Sequence, residues 1–463
     1  MTMVAAVISS LGAPLVPTIS KELGEPLSTA QWSLTAALLA GALSAPVLGR
    51  LGDGPHRRRV LIGGLMAVTL GGIVAALAPS LAILTIGRFL QGIGLGLVPV
   101  AIATGRDLLP PERVSSVIAL LSVSAAAGVG VGYPVSGFIA ESFGLSGAFW
   151  FGAGISALAL FSVIAVVPQS TGGGHERLDL PGTALMTTGL GALLVTLAEA
   201  STWGWSSPPV LGLSLLAIAS LAAWAFHQLR SSAPLVDLRL LRHTAVLTGD
   251  VCAIVLGVAM YMNLSLIAEF VQTPGAVGYG FSASVVLAGL CLVPFSIATV
   301  GVSRTIPWLV DKVGQRAVLP LGSAVVALSS AFFAVFHGSL WQAFAMMAML
   351  GVGVGWTYAA IPGILVAAVP EAETGSAMGF YQVVRYVGFS LGSALTASIL
   401  AGNTAAGRHL PELGGYRLAL WVSTAICVLA AILAWLLPAR DAGRPNEDEG
   451  ELAGAGLVGP VED

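Results

Sequence analysis

Hydrophobic and polar residues do not alternate along this chain; they come in blocks. Apolar runs of about 18–25 residues recur from end to end, with short polar segments between them. That is the length of helix that crosses the hydrocarbon core of a bilayer. The pattern predicts a first set of spans near 3–20, from Trp32 to about Gly49, and near 60–79, 81–104, 115–139 and 146–167. A pair follows near 181–200 and 209–229. A second set of six lies near 244–270, 282–306, 317–336, 341–366, 375–400 and 417–437. The first run contains Pro14 and Pro17 but lacks a basic flank and a small-residue cleavage site, so it reads as a helix rather than a signal peptide. The chain divides into a six-helix half (1–167), a linker with two further helices and an amphipathic segment (168–243), a second six-helix half (244–438) and an acidic tail (439–463).

The two sets of six are related in sequence. The hairpin Gly49–Leu61, GRLGDGPHRRRVL, has a second copy in PWLVDKVGQRAVL, residues 307–319. One constant offset aligns Leu51 with Leu309, Asp53 with Asp311, Arg58 with Arg316 and Val60 with Val318. Nearly the same offset aligns Gly92, Gly94 and Gly96 with Gly351, Gly353 and Gly355. It also aligns Pro111-Glu112 with Pro370-Glu371, and Gly128 and Gly132 with Gly388 and Gly392. One helical array has been used twice in the same orientation, as in transporters whose halves rock about a central site.

Composition agrees with the blocks. The 463 residues are 56% hydrophobic and only 9% charged, with mean hydropathy +0.90, whereas ordinary soluble domains carry roughly a quarter charged residues. The fold class is an all-α polytopic membrane protein. The net charge of −3 owes much to the tail, where Asp441, Glu447, Asp448, Glu449, Glu451, Glu462 and Asp463 lie among Gly, Ala and Pro, a composition that predicts disorder. Cys252, Cys291 and Cys427 sit inside apolar runs without metal-ligand spacing and read as small core residues. No nucleic-acid motif and no obligatory protein partner is evident; the environment is membrane lipid.

Charge orients the spans. With both termini on the cytoplasmic side, only Lys21, Arg408 and Arg417 of the 20 lysines and arginines fall outside, and Arg88 and Arg385 fall within spans. Removing one span would invert half of the basic loops, so the bias supports fourteen helices in a six-plus-two-plus-six order. The protein is expected in the plasma membrane. Trp203 and Trp205 fit an aromatic belt at the outer interface, and Pro234–Arg242 (PLVDLRLLR) reads as a short amphipathic helix on the inner surface.

Several residues are candidates for chemistry. Asp53 beside Arg57, Arg58 and Arg59 offers a charge network able to hold helix ends together; a cluster that only orients the hairpin is the plainer reading. Arg88, in GRFLQGIGLG, costs at least ~2.5 kcal/mol in lipid, so it faces a cavity or a partner, with Gln91 one turn along; an arginine bonded to backbone carbonyls is the alternative. Arg385, near Tyr381 and Gln382, makes the same case in the other half. GVGVGYPVSG, Gly128–Gly137, carries Pro134 and a glycine ladder through Gly132, suited to a bend for gating or to close packing. Asp250, about one and a half turns into its span, and Glu269, near the outer end of the same span, are carboxylates able to exchange protons with a water-filled cavity, or else plain interfacial residues. Tyr261, Met260, Met262, Trp356 and Tyr358 offer an apolar surface for a hydrophobic ligand, though such residues are most often core.

These motifs resemble those of the major facilitator superfamily, in particular its fourteen-helix branch of drug:proton antiporters. The loop at Gly49–Leu61 matches the superfamily pattern G-x-L-x-D-x-x-x-R-R, with a weaker copy that carries Asp311 and Arg316. Arg88–Gly94 resembles the fourth-helix motif linked to proton coupling, and Gly128–Gly137 the fifth-helix antiporter motif. RLDLPG at Arg177–Gly182, WGW at Trp203–Trp205 and the segment Pro234–Arg242 resemble the surroundings of the extra helix pair. The resemblance implies a cytoplasmic charge network of Asp53, Arg57 and Asp107 that latches one conformational state, and a part for Arg88 in proton coupling. Two departures stand out. Pro134 is displaced by one residue from the usual fifth-helix pattern, and the acid that many relatives carry in the first helix is replaced by Ile8, which leaves Asp250 or another acid to carry the proton.

The function expected is proton-coupled export of a hydrophobic small molecule by alternating access, with protons as the coupling ion and no cofactor or metal. The rival on the same fold is an uptake symporter or facilitator for a small organic solute. A membrane enzyme would need a convergent nucleophile or metal set, and neither H-E-x-x-H nor a G-x-S-x-G elbow occurs. A sensor would need a sizeable output domain, which the short acidic tail does not offer.

Overall fold

A computed structural model of the chain describes residues 4, 7–8, 15–25, 27–53, 56–168, 178–232, 234–370, 373–404 and 410–436; the side chains of some helical residues, Tyr133 and Arg316 among them, lie outside the description. Most of the first span, the glycine-rich linker at 172–174 and the acidic tail therefore fall outside the described residues. The rest is helical. In chain order the helices are α1 (Val16–Leu23), α2 (Trp32–Gly52), α3 (Arg57–Ala76), α4 (Leu81–Gly92), α5 (Leu97–Leu108), α6 (Pro111–Val166), α7 (Leu180–Trp203) and α8 (Pro208–Arg230). They continue with α9 (Thr244–Gln272), α10 (Val285–Cys291), α11 (Val293–Ser303), α12 (Ile306–Val313), α13 (Gln315–Val335), α14 (Leu340–Ala368), α15 (Thr374–Gly402) and α16 (Leu413–Leu436).

Twelve stretches among the described residues are long and apolar enough to cross a membrane. In hydrocarbon every backbone N–H and C=O must be satisfied within the segment, which is why long apolar runs adopt helix and nothing else. Punctuation follows the polar residues. Leu109 and Pro110 are extended and separate α5 from α6. Asp179 caps α7, accepting the N–H of Gly182 at 2.9 Å, with Pro181 in the first turn, where its missing N–H is harmless. Ser339 and Gln342 form a reciprocal capping box on α14.

Two features differ from the pattern expected of the sequence, while a third, the break at Gly144, agrees with the separate spans expected near 115–139 and 146–167. The fourth span is not one smooth helix: α4 and α5 are joined by a 3₁₀ turn, Ile93–Gly96, where glycine-rich sequence tolerates the tighter winding. The 56-residue α6 is interrupted at Gly144, whose φ of 71° and ψ of 179° lie outside the helical region and inside one open to glycine. Pro234–Arg242 forms only a 3₁₀ turn over Leu238–Arg242, and its Leu235 and Val236 are buried against Met186, Trp224 and Val383 rather than laid on a surface.

The two halves meet in a repeated way. The sequence repeat makes α2 the counterpart of α10–α12 and α15 the counterpart of the first part of α6. In the structure α2 packs along α15, and α11 packs along α6. The same pair of surfaces is therefore used twice, with the roles of the halves exchanged. The extra pair, α7 and α8, packs together, and α7 also lies against α15 and α2. The pair thus covers one of the two seams. The cysteines are buried and unpaired, as expected of core residues.

Candidate functional site

The arginine-rich end of the α2–α15 seam is closed. α2 ends at Gly52, and the next residue, Asp53, is buried with its carboxylate against the start of α15. Its Oδ1 accepts the backbone N–H of Gly375 at 2.6 Å and its Oδ2 that of Ser376 at 2.8 Å. The first N–H groups of a helix have no partner within it, and their positive end favours a carboxylate. Asp53 is in effect the cap of a helix in the opposite half. Burial pushes its carboxyl up to about 7, against the lowering effects of the Gly375 and Ser376 N–H groups and of Arg50 and Arg57.

Glycines let the two backbones touch there. A Cβ on Gly49 would strike the carbonyl oxygen of Gly375, and one on Gly375 would stand 2.5 Å from the carbonyl oxygen of Gly49. From the end of α5, Arg106 donates to the Val369 carbonyl at 3.3 Å and to the Thr374 hydroxyl. Arg57 pairs with Asp107 and also donates to the carbonyls of Gly52 and Ala103. It braces α3 against α5 within one half, while Asp53 and Arg106 reach across.

A hydrogen-bonded chain connects this closure to the extra helices. The Ser376 hydroxyl donates to the Leu235 carbonyl at 2.8 Å. The Leu235 N–H donates to Gln228 Oε1 at 2.9 Å, and Gln228 Nε2 donates to Asp179 Oδ2 at 3.0 Å. Asp179 also contacts His227 Nε2 at 2.9 Å. Its carboxyl is held below the usual carboxylate range: partial burial acts upward but is outweighed by the Gly182 N–H, His227 and Gln228.

Deeper in the bundle the two buried arginines are held differently. Arg88 on α4 is wholly buried and donates to the carbonyls of Ile8 (3.0 Å) and Ser33 (3.3 Å) and to Gln91 Oε1 (2.9 Å), with Phe149 at 6.0 Å from its guanidinium carbon. It ties three spans of the first half together. Arg385 on α15 lies among aromatic rings: those of Tyr358, Tyr381, Phe389 and Tyr386 stand 5.1, 5.6, 5.7 and 5.8 Å from its guanidinium carbon. Such contacts contribute about 0.5–2 kcal/mol each depending on desolvation. Its Nε has no hydrogen-bond partner, nor do the hydroxyls of the three tyrosines or either end of the Gln382 amide. Asp250 on α9 is buried with both carboxylate oxygens unpartnered. It lines a small pocket with Val236, Asp237 and Leu240 of the linker and with Ala377 and Phe380 of α15.

A sequence repeat, a glycine-lined seam and a polar, aromatic interior describe the site. The Major Facilitator Superfamily family model matches residues 1–393 and 251–461. The chain belongs to the major facilitator superfamily. Among curated relatives, the multidrug resistance protein Stp of Mycobacterium tuberculosis (strain ATCC 25618 / H37Rv) is 29% identical over 377 residues, covering 80% of this chain and 68% of that protein. The probable actinorhodin transporter of Streptomyces coelicolor is 29% identical over 405 residues, 83% of this chain and 68% of the relative. Among solved structures, the proton:xylose symporter XylE superposes with a TM-score of 0.64 at 16% identity, over 97% of this chain and 96% of XylE. That likeness supports the all-helical superfamily fold and no more.

Within this superfamily chain, the residues singled out from sequence are distributed unevenly. Asp53, Arg57 and Asp107 gather at one end, but Asp53 is bonded to backbone of the other half rather than to Asp107's partner. Arg58 leaves the cluster and donates to the Ile164 carbonyl at 2.7 Å, at the end of α6. Asp311, the repeat counterpart of Asp53, is exposed on α12, and the Arg316 side chain lies outside the described residues. Gly128, Gly132 and Gly137 are buried and Pro134 half-buried within α6, and Ser136 donates to the Gly132 carbonyl at 2.6 Å, which occupies a carbonyl beside the proline. Tyr358, Tyr381, Gln382 and Arg385 converge. Tyr261 stacks on Phe389 at 5.9 Å and extends that group. Trp356 does not join it: its indole N–H donates to Thr305 at 3.0 Å. Glu269 is exposed, with the Ser265 hydroxyl at 3.5 Å. Gln91 is spent on Arg88 through its oxygen, while its amide nitrogen is unpartnered.

Sequence reading missed the acceptor and donor partners that are backbone. Gly375, Ser376 and Val369 advertise nothing in their side chains. Tyr386 and Phe389 were detectable, since they flank Arg385 at the following position and one turn on.

Proposed function

We propose that this protein exports a hydrophobic small molecule in exchange for protons, by alternating access between its two six-helix halves. The observation that carries this reading is the closed seam: Asp53 on one half caps α15 of the other, beside backbones in contact at Gly49 and Gly375. An interface closed at this end by a few directional bonds and a backbone contact is suited to open and close. The relatives named for multidrug resistance and as a probable actinorhodin transporter support export as the direction.

The topology that fits this reading has fourteen spans with both termini cytoplasmic, in the inner membrane. The twelve apolar stretches among the described residues, the apolar run that precedes α2, and the break of α6 at Gly144 support that count. The positive-inside bias places the latched end on the cytoplasmic face. Residues 1–167 and 244–438 are then the moving halves and 168–243 the linker that carries the extra pair. No protein partner is required.

Asp250 is the foremost proton carrier. Its carboxylate is buried without a partner beside a pocket on the linker side. Arg88 is bonded to carbonyls and to Gln91, so its part in coupling is to hold the first half rigid as protons pass. Glu269 sits at the far end of the same helix as Asp250, where a proton would enter.

Inside-out vesicles acidified within, carrying a pH-sensitive dye, test the proposal against a panel of hydrophobic compounds. The expected result is gradient release by at least one compound with the parent protein, and no release with Asp250→Asn although that variant is inserted and binds the compound. Substrate movement without proton flux in the parent would overturn proton exchange and favour a facilitator.

A further inference from the structure

The group around Arg385 has a chemical preference that the export reading leaves open. We propose that Arg385 receives an ionised acidic group, a carboxylate or an ionised phenol, on an exported molecule with a flat aromatic body. This deepens the proposed function and rests on it.

The argument starts from a comparison inside the molecule. Arg88 shows how this chain holds a structural arginine: two backbone carbonyls and a glutamine oxygen take up its donors. Arg385 is comparably buried, yet no backbone carbonyl or amide oxygen takes up its donors, and its polar neighbours are the hydroxyls of Tyr381 and Tyr386. Its Nε is unpartnered, and the ion pairs among the described residues are those of Arg57 with Asp107 and of His227 with Asp179. Tyr381 and Tyr386 stand near enough for their hydroxyls to feel the guanidinium charge, but neither hydroxyl is aligned in a hydrogen bond.

The neighbours of Arg385 complete the description of a receptor. The hydroxyls of Tyr358, Tyr381 and Tyr386 and the amide of Gln382 are all buried and all unpartnered. A guanidinium fork, three phenol O–H groups and an amide N–H make a site rich in donors, and such a site matches the several lone pairs of a carboxylate or phenolate. The four rings about Arg385 present faces and edges to a planar aromatic body. A cationic substrate would meet Arg385 head-on and is disfavoured.

The position gives the site a consequence. Arg385 lies on α15, the helix whose first N–H groups Asp53 holds, and Ala377 and Phe380 of that helix line the pocket beside Asp250. An anion bound at Arg385 thus acts on the helix that the latch holds and on the surroundings of the foremost proton carrier.

The test is equilibrium binding to the full-length protein in lipid nanodiscs, with no gradient applied. Three fluorescent probes share one ring system and differ in charge: 9-anthracenecarboxylate, 9-anthracenemethanol and 9-(aminomethyl)anthracene. The carboxylate is expected to bind at least tenfold more tightly than the alcohol, and the amine least tightly. Arg385→Gln should erase the preference for the carboxylate while the alcohol binds as before, and Arg385→Lys should keep part of it. Tyr358→Phe, which retains the ring and removes only the hydroxyl, should weaken the carboxylate several-fold and spare the alcohol. Equal binding of carboxylate and alcohol by the parent overturns the inference, as does an Arg385→Gln protein that still prefers the carboxylate. Loss of both probes together with a lowered unfolding temperature in Arg385→Gln, with Tyr358→Phe unchanged, shows a structural arginine and overturns it too. A carboxylate preference that survives alongside a failed vesicle experiment retains the site and discards proton-coupled export. Gradient release without charge preference does the reverse.

Discussion

Asp53 caps a helix of the opposite half, its Oδ1 accepting at 2.6 Å the backbone N–H of Gly375, 322 residues further along the chain. With Oδ2 on the Ser376 N–H, one side chain satisfies two donors of the opposite half. Removing the carboxylate leaves both donors buried without partners, and each such orphan costs about 1–3 kcal/mol.

Asp53→Ala should therefore shift the protein towards the state open at this end by at least about tenfold. Spin labels on Arg59→Cys and Lys312→Cys, on opposite halves at the same end, would report it by electron–electron distance measurement, since the native cysteines are buried. An unchanged distance distribution would show that the cap does not hold the closed state.

The same residue gives a pH dependence with a definite sign. In the closed state the Asp53 carboxyl is raised to about 7 from its ordinary value of 3.8, burial outweighing the hydrogen bonds and the nearby arginines. A group whose affinity for a proton rises on closing stabilises the closed state fully at low pH and ceases to do so as pH rises through the raised value. Closure should thus weaken as pH rises from about 4 to about 7 and level off above that, and Asp53→Asn should flatten that dependence. The distance measurement above, repeated across this range, decides it. A closed population that grows with pH would contradict the sign.

Gly49→Val tests the backbone contact independently of charge. Its Cβ would collide with the Gly375 carbonyl, which is backbone and unable to rotate away. The closed distance should disappear and transport fall more than tenfold, while insertion and yield stay ordinary because the open state tolerates the side chain. Normal transport by this variant would mean that the helices do not approach so closely during the cycle.

Arg88→Ala should act on stability before it acts on transport. It strips the carbonyls of Ile8 and Ser33 and the Gln91 amide of their shared donor, a loss of ~2 kcal/mol or more. The unfolding temperature in detergent should drop markedly. A variant of unchanged stability that has lost proton exchange would return Arg88 to a direct coupling role.

The chain from Ser376 through Leu235 and Gln228 to Asp179 predicts coupling between the extra helices and the seam. Gln228→Ala and Ser376→Ala, measured singly and together by the closed-state population, should be non-additive by about 0.5 kcal/mol or more. Strict additivity would leave the extra pair as a passive cover.

How much of this could be read from the chain depended on whether the signal sat in side chains. Span positions followed from apolar run length, and the repeat was visible because Asp53 and Asp311 keep their neighbours in register. The cap on α15 was not visible, because its donors are N–H groups that every residue but proline possesses. The two arginines looked alike in sequence: each sits in a span with a glutamine within one turn. They differ because Arg88 finds carbonyls supplied by Ile8 and Ser33 on other helices, whereas Arg385 meets rings. Trp356 illustrates the opposite failure. Its residue type suggested a ligand surface, but the direction of its side chain leads to Thr305, and direction is set by packing across helices rather than by local sequence.

The contact of Gly49 with Gly375 bears on how evenly the two conformations are balanced. Fixing a long side chain on burial forfeits up to about 2 kcal/mol of rotamer entropy, whereas glycine has none to lose. Where the seam closes backbone on backbone, at Gly49 and Gly375, the halves come together without freezing a side chain at that point, and part again without having to free one. A contact of that kind narrows the free-energy difference that one proton, or one bound molecule, would have to reverse.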